Sequence, residues 1–332
     1  MKLIRTEDAE GQVLCHDMTQ IIRGVTKDAA FRKGHIVTKE DIPVLLSIGK
    51  EHIYVWEKTE GMLHENEGAE ILRQICQGAN LSPTEPKEGK ISLRAECDGV
   101  FKINPEKLIA VNSVGEVMIA TKRRDTYVKK GQVVAGMRVI PLVISAEKMD
   151  KARQAAGEPP ILSVLPVKPK KAAILATGSE IYKGRIEDTF TPVVAEKLES
   201  FGCTVMDHQI LDDCAEITTA KILEEIKNGA EIVCVTGGMS VDPDDRTPLA
   251  IRSTGAEVIS YGAPVLPGAM FMLAYYRKKE DGGNEKIIPV VGLPGCVMYA
   301  KTTIFDLILP RLLADDPVKA EELCRMGEGG LL

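Results

Sequence analysis

Acidic side chains follow a glycine pair in residues 232–247, where a β-branched apolar run ends in Thr-Gly-Gly-Met-Ser and three aspartates follow within four positions. The apolar run predicts a buried strand, and Gly237 and Gly238 predict a turn at its end. Adjacent glycines let backbone amides approach an anionic or planar group, because no Cβ stands in the way. Clustered carboxylates, Asp244 and Asp245 among them, are the ligands that a hard cation such as Mg²⁺ requires.

A second interpretation of this loop is purely structural. Asp245 or Thr247 could cap the helix that follows, since carboxylate and hydroxyl oxygens accept hydrogen bonds from the first amides of a helix. A cap needs one acceptor, whereas this loop offers several. We therefore favour a ligand site.

Another candidate loop lies at residues 177–189, after the apolar run 172–176. Gly178 permits a tight exit from the strand, and Glu180 and Asp188 supply carboxylates nearby. The loop is neither a Walker loop, which needs Gly-x-x-x-x-Gly-Lys-Ser/Thr, nor a dinucleotide fingerprint of the form Gly-x-Gly-x-x-Gly. Hydride transfer on NAD therefore loses its main support.

The third candidate loop is Gly-Leu-Pro-Gly-Cys at residues 292–296, where a strand pattern stops and a helical pattern starts. Pro294 and Gly295 mark the turn. The first amides of a helix and the positive end of its dipole attract an anion. This loop is therefore expected to offer backbone amides to an anion.

The elements that position these loops alternate regularly from residue 171 onward. We predict strands at 172–176, 203–210, 231–236, 256–260 and 286–291, and helices at 191–201, 215–228, 248–254 and, as a long closing helix, 296–313. Alternating strands and helices predict an α/β fold of three layers, with a parallel sheet covered by helices on both faces. The ligand crevice of such a sheet lies beyond the carboxyl ends of its strands, so the three loops should converge there.

The upstream half has a different pattern, and a chain of 332 residues is long enough for more than one domain. We predict an N-terminal α+β segment at 1–62, a second α+β domain, rich in short strands, at 63–156, a proline-rich linker at 157–170 and the α/β domain at 171–332. Prolines break both helices and strand ladders, which is why the boundary is placed at the linker.

Composition excludes several classes of partner. The net charge of −6 and the absence of a basic patch with interleaved aromatic residues argue against nucleic acid. No apolar run reaches the roughly 18 residues that a membrane span requires, and the start turns acidic too early for a signal peptide. We expect a cytoplasmic protein that makes no membrane contact. Eight cysteines without Cys-x-x-Cys spacing predict reduced thiols and no zinc site.

Together the three loops resemble the molybdopterin-binding domain of molybdenum-cofactor biosynthesis proteins, which has the Mog-like α/β fold. The shared motifs are a Thr-Gly-x-Glu loop with a downstream Asp-Thr, a Thr-Gly-Gly-x-Ser loop ending in Asp-Asp-x-Thr, and a Gly-Leu-Pro-Gly turn. The resemblance covers residues 170–315. Residues 1–150 are similar, more loosely, to the extra domains of the MoeA-type members, which insert molybdenum, and the chain has no counterpart of their C-terminal β-domain.

The resemblance implies a ligand, a metal ion and a set of site residues. The ligand would be molybdopterin or adenylyl-molybdopterin bound with Mg²⁺, and an ATP or AMP moiety and molybdate could also enter the site. Asp244 and Asp245 would bind Mg²⁺ and serve catalysis. The residues implied in ligand binding are Thr177, Gly178, Glu180, Asp188, Thr236, Gly237, Gly238, Ser240, Thr247, Pro294 and Gly295. By analogy with relatives we also expect a homo-oligomer and contacts with other proteins of cofactor biosynthesis.

The sequence departs from the MoeA-type pattern at three places. Ser179 stands where those proteins have an aspartate, and Cys296 and Val297 stand where they have Asn-Pro. The stretch 265–270 lacks the lysines that they place around a Pro-Gly. An oxyanion site without a cationic side chain must rely on backbone amides, so molybdate or phosphate should bind more weakly.

Three functions are consistent with these observations. The preferred one is a MoeA-like molybdenumtransferase, which uses adenylyl-molybdopterin and molybdate and releases molybdenum cofactor and AMP. The second is a Mog-type adenylyltransferase, favoured by the Asp-Asp-x-Thr ending. The third is a protein that only binds the pterin, as a sensor or carrier, and it is favoured by the missing lysines.

Overall fold

The computed structural model of the chain describes residues 2–22, 26–55, 60–158, 160–240, 242, 245–279 and 285–332. These residues form two compact units. The first contains residues 1–97, 101–124 and 129–164, and the second contains residues 98–100, 125–128 and 165–332.

The first unit combines short antiparallel strands with four helices among its described residues. Its strands are β1 (Lys2–Arg5), β2 (Met18–Ile22), β3 (Thr26–Phe31), β4 (His52–Val55), β5 (Met62–His64), β6 (Leu81–Pro83), β7 (Lys90–Ala95), β9 (Val117–Thr121), β11 (Val133–Val139) and β12 (Val143–Ser145), and its helices are α1 (Asp41–Ser47), α2 (Glu65–Cys76), α3 (Pro105–Asn112) and α4 (Ala146–Ala156). A four-stranded sheet has the order β6-β7-β11-β9, and β1-β4, β2-β3 and β5-β12 form two-stranded sheets. The segment predicted at 1–62 lies in this unit, and so does the segment predicted at 63–156 apart from residues 98–100 and 125–128.

The chain passes between the two units in β8 (Gly99–Ile103) and β13 (Leu162–Pro166). The predicted linker at 157–170 is therefore not all linker, because β13 lies inside it. Leu162 and Val164 are buried, and the amide of Val164 donates to the carbonyl of Ala79. Burial of these apolar side chains and a backbone hydrogen bond stabilise this strand. The sequence pattern did not predict it, because the surrounding prolines indicated a linker.

The second unit alternates strands and helices. Its elements are β10 (Thr126–Val128), β14 (Lys171–Thr177), α5 (Ser179–Tyr182), α6 (Phe190–Glu199), β15 (Thr204–Leu211), α7 (Ala215–Asn228), β16 (Ile232–Thr236), α8 (Thr247–Ser253), β17 (Glu257–Tyr261), β18 (Met272–Lys279), β19 (Glu285–Leu293), α9 (Ile304–Leu313) and α10 (Ala320–Arg325). Helix α7 has a Gly229 C-cap in the left-handed conformation, which glycine adopts without strain.

The six-stranded sheet of this unit has the order β15-β14-β16-β19-β18-β17. The first four strands are parallel, but β18 runs antiparallel to β19 and β17 antiparallel to β18. The prediction of an entirely parallel sheet was therefore wrong at this edge. Only residues 280–284 connect β18 to β19, and a connection this short joins antiparallel strands, since parallel strands need a long crossover.

Two apolar cores confirm the predicted three layers. Ala172 and Ile174 of β14 contribute to a core with α6 and α9, whereas Ala173 and Leu175 contribute to a core with α7 and α8. Successive side chains of a strand point to opposite faces, so each face of the sheet is buried by its own helices. The predicted α/β fold class is confirmed.

The predicted closing helix at 296–313 is in fact two elements. A short 3-10 helix spans Gly295–Met298, and α9 begins only after Thr303. Thr303 Oγ1 accepts a hydrogen bond from the amide of Phe305 at 3.2 Å, and Asp306 accepts one from the amide of Thr303 at 2.7 Å. This reciprocal cap fixes a helix start at Ile304, which the apolar spacing alone does not reveal.

The helices are short compared with a lipid bilayer. Helix α7, with 14 residues, spans about 21 Å at 1.5 Å per residue, whereas a hydrocarbon core is about 30 Å thick. In the part of the chain that the structure describes, no helix combines the length and the apolar character that crossing a membrane requires.

Candidate functional site

A crevice of about 440 Å³ lies at the carboxyl ends of the parallel strands of the second unit. From β14 the chain passes through α6 to β15 on one side, and from β15 through α7 to β16 on the other side of β14. The loops after β14 and β16 diverge at this switch point and leave a gap between them. Open α/β sheets bind ligands at such a point.

All three predicted loops contribute to the crevice. Nine predicted site residues line it: Thr177, Gly178, Glu180, Gly237, Gly238, Ser240, Asp245, Pro294 and Gly295. Thr236, Thr247 and Asp188 are not among the lining residues. Asp244 lies outside the described residues, so its predicted roles as Mg²⁺ ligand and catalytic group stay predictions.

The first two loops are joined by the side chain of Thr177. Its hydroxyl donates to the carbonyl of Thr236 at 3.2 Å and lies 3.1 Å from the hydroxyl of Thr247. The amide of Thr247 donates to the carbonyl of Gly238 at 3.2 Å. Thr177 and Thr247 are both buried, so these bonds are shielded from water. Thr247 thus stabilises the conformation of the glycine loop without lining the crevice itself.

Packing between the loops demands glycine at position 237. Gly237 has a φ of +82°, and a Cβ built on it would lie 1.9 Å from the carbonyl oxygen of Thr177. A side chain would therefore suffer both backbone strain and a clash with main chain. The sequence predicted that Gly237 lets a ligand approach the backbone. In the structure the group that lies against this glycine is the carbonyl of Thr177, in the neighbouring loop.

The third loop presents backbone to the crevice. A Cβ on Gly295 would meet only the ring edge of Phe190, at 3.9 Å. Gly295 begins the 3-10 helix, whose first amides have no partners within the helix itself. Cys296 also lines the crevice, and burial raises the pKa of its thiol. The side chain at 296 therefore contributes a neutral thiol.

Asp213 is a charged residue at the crevice that sequence reasoning missed. It follows β15, and its Oδ2 accepts a hydrogen bond from the amide of Ser179 at 2.7 Å. Burial raises the pKa of this carboxyl, and the nearby charges of Glu180, Asp212 and Asp245 raise it further, against the lowering effect of the Ser179 bond. The signal was present in the sequence, since a carboxylate pair directly follows the second strand of the parallel set.

Asp245 closes its own loop. Its Oδ2 accepts a hydrogen bond from the amide of Asp242 at 3.1 Å, and its amide donates to the carbonyl of Asp242 at 2.9 Å. The N-cap of α8 is Arg246, with no side-chain capping bond. The alternative interpretation, in which Asp245 caps that helix, thus finds no support in these contacts, and one carboxylate oxygen of Asp245 has its bond within the loop.

Asp188 caps a helix. Its Oδ1 accepts hydrogen bonds from the amides of Phe190 and Thr191, at 2.9 and 3.1 Å, at the start of α6. The resemblance implied that this carboxylate lines the pterin side of the site. The structure places it at the helix N-terminus, where a carboxylate also stabilises the helix dipole.

The remaining wall of the crevice is apolar. Its members share large, flexible or aromatic side chains that could cover a planar ring system. They are Ile181, Ile186, Phe190, Met239, Met270 and Tyr299. None was predicted, because an apolar side chain at a site has the same sequence signal as one in a core.

The crevice is acidic. Glu180, Asp213 and Asp245 line it, and none of its described lining residues is Lys, Arg or His. Among the described residues no three acidic, histidine or cysteine side chains are placed to hold a metal ion. The arrangement therefore does not fit a dedicated metal cage. It does fit Mg²⁺ bound through one or two carboxylates and completed by water and ligand phosphate, which is a common arrangement for this ion.

A mostly parallel α/β sheet with glycine loops and carboxylates at its switch point defines a class of proteins that bind phosphorylated heterocycles. Residues 173–314 match the family model of a probable molybdopterin binding domain. This match lies within the second unit and covers less than half of the chain. Residues 3–57, in the first unit, match a domain of unknown function, DUF8806.

Three curated relatives have different names. A molybdopterin adenylyltransferase of Pyrococcus furiosus is 29% identical over 138 residues, which cover 40% of this chain and 81% of that protein. A molybdopterin molybdenumtransferase of Synechococcus elongatus is 24% identical over 222 residues, covering 64% of this chain and 51% of that protein. A CinA-like protein of Fervidobacterium nodosum is 33% identical over 113 residues, covering 34% of this chain and 28% of that protein.

The chain thus spans about half of the molybdenumtransferase and less than a third of the CinA-like relative. Among solved structures, the tungsten cofactor synthesizing protein MoaB from Pyrococcus furiosus is similar with a TM-score of 0.36 and 23% identity, over 44% of this chain and 93% of that one. The curated relatives carry different names, and two of them are named for different transferase activities.

Proposed function

We propose that the second unit binds molybdopterin, or its adenylylated form, together with Mg²⁺, and that the protein acts in molybdenum cofactor biosynthesis as a molybdopterin molybdenumtransferase. The observation that carries the proposal is the convergence of the three glycine loops on one acidic crevice at the switch point. The choice of this transferase is supported by the alignment with the molybdenumtransferase, whose 222 residues extend beyond the matched domain at 173–314.

Each part of the crevice suits one part of this ligand. Phe190 and Met270 offer apolar surface for the pterin rings, and the turn at Gly295 offers amides to the phosphate. Asp245 and the phosphate oxygens would share the Mg²⁺ ion. These groups lie around one cavity, so a single ligand could contact all of them.

The proposed reaction breaks a phosphoanhydride bond. Water adds to the adenylyl phosphorus as the molybdopterin phosphate leaves, which gives AMP, and the two dithiolene sulfurs replace two oxygens of molybdate, which leave as water and give molybdenum cofactor. Negative charge therefore develops on the two separating phosphates. Mg²⁺ would supply the positive charge that no described lining side chain provides. The protein's contribution is to hold the phosphates against backbone amides and to exclude bulk water with its apolar wall.

Adenylyl transfer from MgATP to molybdopterin is the second candidate, and the charge of the crevice favours it. Free molybdate is an anion, and a crevice lined by three carboxylates repels it unless a cation is bound first. MgATP brings its own cation. In this reaction an oxygen of the molybdopterin phosphate attacks the α-phosphorus of ATP, and pyrophosphate leaves.

An assay with three mixtures distinguishes the candidates. The full chain is incubated with adenylyl-molybdopterin, Mg²⁺ and molybdate, with molybdopterin and MgATP, and with molybdopterin and Mg²⁺ alone. Molybdate-dependent release of AMP is the expected result and supports molybdenum insertion, whereas release of pyrophosphate supports adenylyl transfer instead. Tight binding of molybdopterin without either product would contradict both enzyme functions, and absence of binding would contradict the ligand itself.

A further inference from the structure

Carbonyl groups of the glycine loop accept hydrogen bonds from other parts of the second unit. The carbonyl of Thr236 accepts from the hydroxyl of Thr177, and the carbonyl of Gly238 accepts from the amide of Thr247. The next two carbonyls, of Met239 and Ser240, both lie within reach of a single hydroxyl outside the loop. That hydroxyl belongs to Tyr261.

Tyr261 is the last residue of β17, which is the antiparallel edge strand of the sheet. Its Oη lies 3.3 Å from the carbonyl oxygen of Met239 and 3.4 Å from that of Ser240, so one hydroxyl hydrogen is shared between the two. The guanidinium of Arg252, on α8, lies 5.7 Å from the centre of the tyrosine ring and restrains it through a cation–π contact. Tyr261 itself is not a lining residue of the crevice.

The loop is also anchored from below. The side chain of Met239 is buried, and its thioether lies so close to β19 that a Cβ on Gly292 would stand 2.6 Å from the sulfur. With this side chain fixed, the main remaining freedom at Met239 and Ser240 is rotation of the peptide plane between them. The bond from Tyr261 acts on that rotation.

In a trans peptide the carbonyl and the following amide point in opposite directions. The Met239–Ser240 bond is trans, and its carbonyl points to Tyr261, on the side that does not line the crevice. The amide of Ser240 therefore points away from Tyr261, and Ser240 itself lines the crevice. If this peptide turned over, a carbonyl oxygen would face the ligand, and an anion would meet a partial negative charge in place of a donor.

We infer that Tyr261 is a positioning residue that orients the Met239–Ser240 peptide, so that the Ser240 amide donates to the phosphate of the bound ligand. This inference rests on the proposed function for the identity of the ligand. It adds a residue on the edge strand to the determinants of phosphate binding, although that residue does not line the site.

The test compares Tyr261→Phe with Tyr276→Phe in the full chain. The first change removes only the hydroxyl that contacts the loop. The second removes a hydroxyl that, among the described residues, makes no hydrogen bond, and it controls for the loss of a tyrosine oxygen from the same sheet. Binding of molybdopterin and of its dephosphorylated counterpart is measured in the presence of Mg²⁺, together with the thermal midpoint and the exchange rate of the Ser240 amide in the ligand-free protein.

Loss of one hydrogen bond of ordinary strength predicts about three- to tenfold weaker binding of molybdopterin by Tyr261→Phe. Binding of the dephosphorylated pterin should not change, the Ser240 amide should exchange faster, and Tyr276→Phe should match the wild type. A merely structural role would weaken binding of both pterins equally, and that result overturns the inference. Unchanged molybdopterin binding by Tyr261→Phe also overturns it and leaves the proposed function intact. If the wild type binds neither pterin, the proposed function fails, and the role of Ser240 in phosphate binding fails with it. In that case an equal Ser240 exchange rate in Tyr261→Phe and the wild type would also reject the role of Tyr261 in orienting the peptide.

Discussion

The hydroxyl of Thr177 lies 3.1 Å from the hydroxyl of Thr247, across 70 positions of sequence and inside the protein. This contact joins the loop after β14 to the start of α8, and the glycine loop lies between them. The shape of the crevice thus depends on a contact between two buried residues, of which Thr177 lines the crevice and Thr247 does not.

Replacing Thr177 by valine should destabilise the second unit. The change keeps the shape of the side chain but removes the bonds to the carbonyl of Thr236 and to Thr247, and an unsatisfied buried polar group costs about 1–3 kcal/mol. Urea unfolding measures the loss, and Thr177→Ser should retain most of the stability. Thr236→Val is the matched control, because the Thr236 hydroxyl is buried without a partner in the described part of the chain. If Thr236→Val destabilised as much as Thr177→Val, the hydrogen bonds would not be the cause.

Gly237→Ala should destabilise the fold, by about 2 kcal/mol or more, because φ is positive and the new Cβ would meet the carbonyl of Thr177. Gly295→Ala should leave the thermal midpoint almost unchanged, since its Cβ would have only the ring of Phe190 nearby, at 3.9 Å. The same change should weaken binding of molybdopterin by placing a methyl group in the crevice. Equal thermal midpoints for the two variants would contradict the difference in packing.

Asp213→Asn should stabilise the protein at neutral pH and weaken Mg²⁺-dependent binding of molybdopterin. The folded state raises the pKa of Asp213 above 3.8, so its favourable contribution is complete below the unfolded pKa and is lost as the pH rises through the folded pKa. Above that range an ionised, partly buried carboxylate remains near Glu180 and Asp245. The gain in unfolding free energy should therefore shrink as the pH falls toward 4. A constant gain across this range would mean that ionisation of Asp213 is not involved.

Asp245→Asn should abolish Mg²⁺-dependent binding of molybdopterin and change the thermal midpoint little. The amide oxygen of asparagine can still accept from the amide of Asp242, so the loop keeps its internal bond while the charge that attracts the cation is lost. Titration calorimetry with molybdopterin at increasing Mg²⁺ measures the effect. A sharp fall of the midpoint with intact binding would show that Asp245 is a structural residue only.

His64, in the first unit, should make stability fall in mild acid. Its Nε2 lies 2.6 Å from the carbonyl of Cys15, and its Nδ1 faces the amide of Asn66 at 3.2 Å and the ammonium of Lys33 at 3.1 Å. The ring is thus held as the neutral tautomer with its proton on Nε2. Burial lowers its pKa, as does the charge of Lys33, although the Cys15 carbonyl acts in the opposite direction.

A lowered pKa means that the unfolded state binds more protons between the two pKa values. The unfolding free energy should therefore decrease as the pH falls below about 6.5, the ordinary value for histidine. Thermal unfolding between pH 8 and roughly pH 5 tests this, and His64→Gln, which can bond to both Cys15 and Asn66, should reduce the slope. Parallel slopes for the two proteins would assign the effect to other groups, His16 first among them, since burial also lowers its pKa.

Local signals in the sequence carried much of the site. Apolar runs ending in Gly178, Gly237 and Gly295 predicted three strand exits, and the alternation of strands and helices predicted their convergence. These signals are local because a strand needs its own apolar residues and a tight turn needs its own glycine. The resemblance to molybdopterin-binding domains rested on the same residues.

Contacts between distant residues decided the rest. Asp213 lies at the crevice and Thr247 does not line it, because each position depends on which strands are neighbours in the sheet. Asp188 is different, since a local cap at the start of α6 holds it. The antiparallel direction of β17 and β18 placed Tyr261 against the glycine loop. By itself the sequence determined the chemistry available at each strand end. Only the tertiary structure decided which groups line the crevice and which support the loops. The order of the strands depends on contacts between residues that are far apart in the sequence, and no single segment of the chain contains those contacts.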